Sequence, residues 1–169
     1  MNTSTRLVAT ISLALLSFPI AGCQSGSAAM DFTLVQALPR IEGTDAGAKG
    51  DSPGDTEEFY APLTRDGKPA GHVSGVLMIA AMPNDVAGVA GAEERLTLLN
   101  FNLPDGLIMV GGQALYPAGE QTMQPQEPAV RPVIGGTKAY IGARGEVTTT
   151  KQSDQTYLHE FHLIDVETR

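Results

Sequence analysis

The chain of 169 residues contains a single cysteine, no tryptophan and few basic side chains. One cysteine cannot form an internal disulfide framework, a cysteine-cluster metal site or an iron–sulfur centre. Eleven lysine and arginine residues against 19 aspartate and glutamate residues give a formal net charge of -8. That charge argues against nucleic acid or an anionic bilayer surface as a main partner. The one long apolar run, near the N-terminus, is too short to span a bilayer as a permanent helix.

Glycine and proline are plentiful, with 19 and 11 residues respectively. Apolar and polar residues alternate with period two between the turn-rich segments, which is the pattern of half-buried strands. Several short strands joined by glycine, aspartate and proline turns predict a β-sandwich or a closed barrel. The predicted strands cover residues 32–38, 57–63, 71–82, 95–103, 107–116, 130–134, 137–151 and 157–166.

The N-terminus is typical of a secretory signal, with a short basic start that ends at Arg6 and an uncharged apolar stretch after it. Ile20-Ala21-Gly22-Cys23 resembles a bacterial lipobox, in which the signal is cut before the cysteine and that cysteine receives lipid chains. An ordinary signal peptide followed by an incidental thiol is the alternative. The predicted organisation is a signal peptide at residues 1–22, a lipidated Cys23 with a flexible tether at 23–29, and a single domain at 30–169.

Lipid on Cys23 would attach the protein to the bacterial cell envelope as a membrane lipoprotein. Several acyl chains on one residue form a stable anchor. Gln24 resembles the residue that follows the cysteine in lipoproteins exported to an outer membrane, so we predict its periplasmic side where the cell has one. Removal of the signal leaves ten basic against 19 acidic residues, a net charge of -9, so anchoring must come from lipid.

Three motifs resemble cofactor, metal or catalytic sites but do not fit them. Gly135-Gly136-Thr137 follows a strand, but too few residues remain after it for a dinucleotide-binding domain, so no cofactor is predicted. His159 and His162 are three apart in a strand and point to opposite faces, so no metal site is predicted. Ser52 stands in Gly50-Asp51-Ser52-Pro53-Gly54, which matches the Gly-x-Ser-x-Gly pattern in letters but lies in a loop rich in glycine, aspartate and proline and not at a strand-to-helix turn. We therefore predict no catalytic residue.

Isolated polar residues on otherwise apolar strands are candidates for a cavity lining. Asn100 and Asn102 share a face of the fourth predicted strand, and Gln113 lies on the fifth. Tyr140 and Arg144 share a face of the predicted strand at 137–151. Each of these side chains either lines a cavity or faces solvent, and the sequence leaves both interpretations open.

Residues 131–147, with the turn Gly135-Gly136-Thr137 at their centre, resemble the allene oxide cyclase and dirigent superfamily. Segments 50–59, 71–75 and 105–112 resemble three further blocks of that superfamily in the same order. The resemblance implies an all-β fold, an eight-stranded antiparallel closed barrel, often assembled as a homodimer or homotrimer. It also implies small hydrophobic ligands: the plant cyclases close a ring in an oxidised fatty acid, and dirigent proteins steer the coupling of phenoxy radicals.

Two positions depart from the superfamily pattern. Lys138 stands where the pattern has its last glycine, and Thr33 stands where the cyclases carry an acidic residue. The missing acid argues against allene oxide cyclase activity. We therefore predict a lipid-anchored envelope barrel that binds or shields a small hydrophobic molecule without turnover. The alternatives are an isomerase, cyclase or dirigent-type stereochemical guide, and a structural or partner-binding module at the membrane.

Overall fold

The computed structural model describes residues 28–82 and 91–166. The predicted signal peptide, Cys23 and the predicted tether up to residue 27 lie outside these residues. Among the described residues, no helix is long and apolar enough to cross a bilayer. The same residues form one 3-10 turn, Lys138–Tyr140, and nine strands: β1 Ala28–Gln36, β2 Arg40–Thr44, β3 Thr56–Arg65, β4 Lys68–Ala81, β5 Ala92–Leu103, β6 Gly106–Pro117, β7 Pro128–Gly136, β8 Arg144–Lys151 and β9 Tyr157–Val166.

The strands form one antiparallel sheet in the order β1-β9-β8-β7-β6-β5-β4-β3-β2. The sheet closes because the end of β1 also pairs with β3, where Val35 lies opposite Thr64 and Gln36 opposite Leu63. Eight strands complete the ring, and β2 extends the edge of β3 beyond it. The predicted all-β class and the closed eight-stranded antiparallel barrel are confirmed.

β2 is a strand that the sequence analysis missed. It follows β1 along the same edge of β3, with Arg40 opposite Tyr60 and Thr44 opposite Thr56. Its side chains are almost all exposed. A strand without a buried face has no apolar alternation, so the surrounding glycine, aspartate and proline residues predicted a loop instead.

The predicted strand at 137–151 is wrong in its first half. Residues Lys138–Tyr140 form a 3-10 turn, and β8 begins only at Arg144. Lys138 has a φ of 55° and Gly142 a φ of 81°, and these left-handed conformations interrupt a strand. Lys138 therefore occupies a backbone position that favours glycine, at a cost of about 1–3 kcal/mol.

One end of the barrel, called the packed end, contains the start of β1 and the end of β9. Its interior is filled by aromatic and aliphatic side chains. The rings of Phe32 and Phe161 stack at 4.8 Å, and Phe101 meets Phe161 edge-on at 4.9 Å. Tyr140 is buried over this end, where its hydroxyl donates to the Asp105 carboxylate at 3.0 Å. Each large apolar side chain buried here contributes about 1.5–3 kcal/mol, so this end carries much of the stability.

The outer surface of β4 to β7 is unusually apolar for a face in contact with solvent. Six large side chains on it are exposed: Met78, Leu96, Leu98, Leu115, Val130 and Ile134. The homodimer or homotrimer implied by the family resemblance stays a prediction.

The Gly135-Gly136-Thr137 turn closes the packed end. The Thr137 hydroxyl oxygen accepts the Leu107 N–H at 3.1 Å, and the Thr137 N–H donates to the Leu107 carbonyl at 2.9 Å. A Cβ at Gly136 would lie 2.6 Å from the Cβ of Tyr140 and 2.8 Å from the Leu107 carbonyl oxygen. A Cβ at Gly135 would meet no atom within 4 Å. Only the second glycine is therefore required for close packing.

This difference gives a matched pair of variants. Gly136→Ala should lower the free energy of unfolding by about 1–3 kcal/mol, because the new methyl group overpacks the turn. Gly135→Ala should cost less than about 0.5 kcal/mol, since it enters open space. Urea denaturation of both variants measures the difference. Equal destabilisation would show that the close approach of Gly136 to the turn is not the reason for its presence.

Candidate functional site

The opposite end of the barrel, called the cavity end, carries its polar side chains inside. It contains the end of β1 and the starts of β5, β7 and β9. Buried polar groups inside proteins are normally hydrogen-bonded, so a concentration of them at one end calls for an explanation. The buried polar and charged residues are Gln36, Glu93, Arg95, Thr97, Arg131, Thr149, Lys151 and His159.

A cavity of about 50 Å³ lies among these side chains. That volume holds a few water molecules, because one water needs about 10–15 Å³. Its walls combine apolar surface with hydrogen-bonding groups, the usual composition of a small-molecule site. The main lining side chains are Ile41, Phe59, Leu77, Leu99 and Met123 on the apolar side, and Gln36, Tyr116, Arg131, Thr149, Tyr157 and His159 on the polar side.

The segment between β6 and β7, residues 118–127, covers the cavity and is called the cap. Its Met123 is buried against the barrel interior. Two cations from the barrel hold it: Lys151 Nζ donates to Thr122 Oγ1 at 2.9 Å, and Arg95 Nη2 donates to the Glu120 carbonyl at 2.7 Å. Backbone hydrogen bonds hold both ends of the cap, from Ala118 N–H to the Gly91 carbonyl and from Gln126 N–H to the Lys151 carbonyl, each at 2.9 Å. The middle of the cap is therefore held by two side-chain contacts, with one apolar side chain as its plug.

Arg95 is the best-paired charge at the cavity end. Its Nε donates to Glu93 Oε1 at 2.6 Å, and its Nη1 donates to Glu57 Oε2 at 2.5 Å. Its guanidinium also lies over the Tyr116 ring, with Cζ 4.7 Å from the centroid. Burial raises the pKa of the Glu57 carboxyl, and the charge of Arg95 opposes that shift. Arg95 thus pairs with two carboxylates and offsets part of their desolvation cost, while Glu93 Oε2 stays buried without a hydrogen-bond partner.

Arg131 is buried to the same degree but is poorly paired. It is 1% exposed, and Nη2 donates to the Tyr116 hydroxyl at 3.3 Å. Its Nε is buried without a hydrogen-bond partner. The ion pairs formed by the described residues do not include Arg131. A buried cation without a counter-ion is costly, and such groups are concentrated at functional sites.

His159 lies beside Arg131 and is held neutral. Its Nε2 lies 2.9 Å from Gln36 Oε1, and its Nδ1 lies 3.0 Å from Thr149 Oγ1. Since the amide oxygen only accepts, the proton belongs on Nε2 and the threonine hydroxyl donates to Nδ1. Burial, reinforced by the charge of Arg131, lowers the pKa of His159 to about 3. Both ring nitrogens are therefore occupied, and the ring carries no charge at neutral pH.

The two tyrosines of the cavity are also neutral. Burial raises the pKa of Tyr116, and burial with a smaller contribution from the neighbouring Tyr116 raises the pKa of Tyr157 to about 12. Both hydroxyls stay protonated and can donate hydrogen bonds to a ligand. Together with Arg131, they make the polar side of the cavity a set of donors with a net positive charge.

An open recess of about 380 Å³, called the mouth, lies next to the cavity. Leu77 and Gln121 line both spaces, so these two side chains stand between them. The mouth is acidic, and backbone N–H groups from its own loop lower the pKa of Asp55. Its carboxylates are those of Asp45, Asp51, Asp55, Glu57 and Glu120.

None of the five predicted lining residues lies among those that line the cavity. Asn100 and Asn102 are half-buried on the outer face of β5, and Gln113 is exposed on β6. Tyr140 is buried at the packed end, and Arg144 is exposed and donates to the Ala143 carbonyl at 2.8 Å. The structure therefore does not bring the five together, because the turn at 138–143 separates Tyr140 from Arg144 and the asparagines lie on the outer phase of their strand.

The predicted lining residues on β5 were wrong because the sequence did not show which face of that strand points into the barrel. On β5, Leu96 and Leu98 follow one phase, while Leu99 and Phe101 follow the other, so apolar content alone did not identify the inner face. The signal for the inner face was Arg95, which lies on the same alternating set of β5 positions as Phe101. On β9 the prediction that His159 and His162 point to opposite faces is confirmed, since His159 is buried and His162 is exposed.

The first strand contributes a polar group at a position that was not predicted. Thr33 is exposed on the outer face of β1, and the buried polar side chain of this strand is Gln36. The carboxylates at the cavity end come from β3 and β5 instead. Among the described residues, no three histidine, cysteine, aspartate or glutamate side chains are placed to hold a metal ion.

Solved structures with the same arrangement of strands include a pyocyanin demethylase, which is 22% identical with a TM-score of 0.58 over 80% of this chain and 99% of that one. AbnU, an exo-specific intermolecular Diels-Alderase, is 17% identical with a TM-score of 0.61 over 81% of this chain and 98% of its own. The pterocarpan synthase dirigent protein GePTS1 is 12% identical with a TM-score of 0.55, over 85% and 87%. The chain has the allene oxide cyclase/dirigent-like barrel fold. No protein-family model matches the chain, and no curated protein sequence is significantly similar to it.

The neutral state of His159 makes stability depend on pH. In the unfolded chain His159 takes up a proton near its ordinary pKa of 6.5, whereas in the barrel it does so only near 3. Between these values the unfolded chain binds more protons, so stability falls as pH falls, by up to about 1.4 kcal/mol per pH unit. His159→Gln should flatten this dependence between pH 6.5 and 5 in urea denaturation. His72→Gln, a control at a half-buried histidine that belongs to none of the ion pairs formed by the described residues, should leave the slope unchanged; equal slopes in all three proteins would contradict the assignment.

Proposed function

We propose that the cavity end binds a small, largely apolar molecule and promotes a ring-forming or stereochemistry-directing step on it. The observation that carries this proposal is the buried Arg131–Tyr116 pair on the polar side of a cavity whose other side is apolar. The shared fold adds support, because Diels-Alderases and a dirigent protein are built on the same barrel. Fold alone does not assign chemistry, so the site residues carry the argument.

The proposed chemistry is electrostatic. Arg131 and the Tyr116 hydroxyl would donate to a carbonyl or phenolic oxygen of the ligand and stabilise the negative charge that develops there. Such fixed donors act strongly in a water-excluded site, where removal of one donor costs about 10²–10³ in rate. The apolar walls, chiefly Phe59, Leu77 and Leu99, would hold the reacting carbons in one orientation, which favours ring closure and selects one product.

The size of the cavity requires the cap to move. A ring-forming substrate is larger than 50 Å³, whereas the adjacent mouth has about 380 Å³. Displacement of Met123 and Gln121 from their places would join the two spaces. The polar contacts of Lys151 and Arg95 with the cap can reform after entry, so the cap would work as a lid, as such segments do in many enzymes.

A panel of linear dienes that carry a conjugated carbonyl tests this function. The unaltered chain should raise the rate of ring closure or bias its stereochemistry, and Tyr116→Phe should reduce that effect about 10²-fold because one donor is lost. Tyr60→Phe, which removes a hydroxyl from an exposed tyrosine, is the control. Chromatography of the products measures both rate and ratio. Binding without any effect on rate or ratio would replace this proposal by ligand binding or shielding.

We also propose that Cys23 carries lipid and attaches the protein to the bacterial cell envelope. β1 begins at Ala28, at the packed end of the barrel. Four residues lie between Cys23 and Ala28, so the two Cα atoms are five steps and at most about 17 Å apart. A lipid at Cys23 would keep the packed end near the bilayer, so the mouth would open away from the membrane and the ligand would arrive from the aqueous phase.

Mass spectrometry of the intact protein from a bacterial membrane fraction tests the anchor. We expect a chain that starts at Cys23 with a mass increased by its acyl chains, because the lipobox directs both cleavage and lipidation. Cys23→Ser should carry no acyl mass and should retain residues 1–22, because the lipobox that directs cleavage is lost. A free thiol at Cys23 in the membrane-derived protein would refute the anchor and leave the proposal for the cavity untouched.

A further inference from the structure

The cavity end contains two buried arginines whose circumstances differ sharply. Arg95 is 2% exposed and directs its nitrogens to Glu93, Glu57 and the Glu120 carbonyl. Arg131 is 1% exposed and donates to one neutral hydroxyl at a long 3.3 Å. The barrel therefore supplies counter-charge for one guanidinium and withholds it from the other.

The surroundings of Arg131 add no negative charge. His159 is neutral and its nitrogens are already occupied, while Tyr116 and Tyr157 remain protonated. Gln36 and Thr149, the remaining polar residues of that wall, are uncharged. Glu93 and Glu57, the carboxylates of the barrel interior and its edge, are both paired with Arg95. The polar wall of the cavity is thus positive within a protein whose net charge is -8.

We propose that the ligand brings the missing counter-charge, as a delocalised oxyanion on an apolar body, and that Arg131 pairs with that oxyanion. Carboxylates, phenolates and enolates share this chemistry. The guanidinium Nε, which is buried without a partner, and the Tyr116 hydroxyl provide the donors. This inference rests on the proposed function and narrows its substrate class.

The acidic mouth does not cancel this preference. Its carboxylates are mostly exposed, so salt screens them over about 8 Å at physiological ionic strength. Arg131 is buried and is screened far less. We therefore expect the mouth to slow the entry of an anion at low salt, while the equilibrium inside the cavity still favours the anion.

Benzoate and its neutral isostere benzamide are the first probes. Each is titrated against the unaltered protein and against Met123→Ala, whose larger cavity admits an aromatic ring more readily. Calorimetry measures the binding. Benzoate should bind about 10- to 100-fold more tightly than benzamide, the range expected for a hydrogen-bonded charge pair. Arg131→Gln should abolish or reverse that preference, and Arg131→Lys should retain most of it.

Arg144→Gln is the matched control for charge. It removes one positive charge from the exposed surface, so it should leave the preference for benzoate unchanged. An equal loss in Arg144→Gln and Arg131→Gln would show that net charge, and not pairing at Arg131, selects the anion, and this would overturn the inference.

4-Nitrophenol provides an independent reading on the unaltered protein and distinguishes the phenolate from the carboxylate. A bound phenolate beside a guanidinium keeps its charge to lower pH, so the absorbance band of the phenolate should persist at a pH where free 4-nitrophenol has lost it. Failure of both anions to outbind benzamide, while benzamide binds in the cavity, would overturn this inference and leave the proposed function standing. Failure of benzoate, benzamide and 4-nitrophenol to bind either the unaltered protein or Met123→Ala would overturn both this inference and the proposed function.

Discussion

Closing eight strands into a barrel forces every inward side chain into a space barely wide enough to hold it. Every polar group placed there loses water and needs a partner from within the barrel. The packed end meets this constraint with stacked aromatic rings and few polar atoms. The cavity end meets it with ion pairs around Arg95 and with hydrogen bonds around His159, and Arg131 is left outside both sets with one long hydrogen bond.

The two buried arginines differ in their ion pairs, and the stability of the fold alone does not explain this difference. Arg95 joins β5 to β3 and to the cap, so its charge supports the architecture. Arg131 supports nothing comparable: it makes one long hydrogen bond, and its positive charge disfavours protonation of His159. A methionine of similar length would fill the same space without a desolvation cost. Groups that are costly to the folded state are often retained because they serve a site.

The sequence allowed the fold to be predicted further than the site. Alternation, turn residues and four motif blocks were sufficient for a closed eight-stranded barrel. The two histidines of β9 were assigned to opposite faces because residues three apart in a strand point to opposite sides of the sheet. On β5 both faces contain large apolar residues, Leu96 and Leu98 outside and Leu99, Phe101 and Leu103 inside, so the inner face depended on closure of the barrel. The strand predicted at 137–151 failed because the left-handed residue that interrupts it is Lys138 and not a glycine.

The protonation states of the cavity also limit the chemistry that it can perform. Acid–base catalysis needs a group whose pKa lies near the working pH and whose proton can reach the substrate. His159 does not qualify, because its pKa is far below neutrality and both of its nitrogens are engaged. Tyr116 and Tyr157 hold their protons too firmly, and Glu57 is tied to Arg95 at the edge of the mouth. What remains is a positive, donor-rich wall opposite apolar surface, which can stabilise developing negative charge without taking up a proton. Such a wall suits ring closure and stereochemical steering, whereas hydrolysis also needs a base.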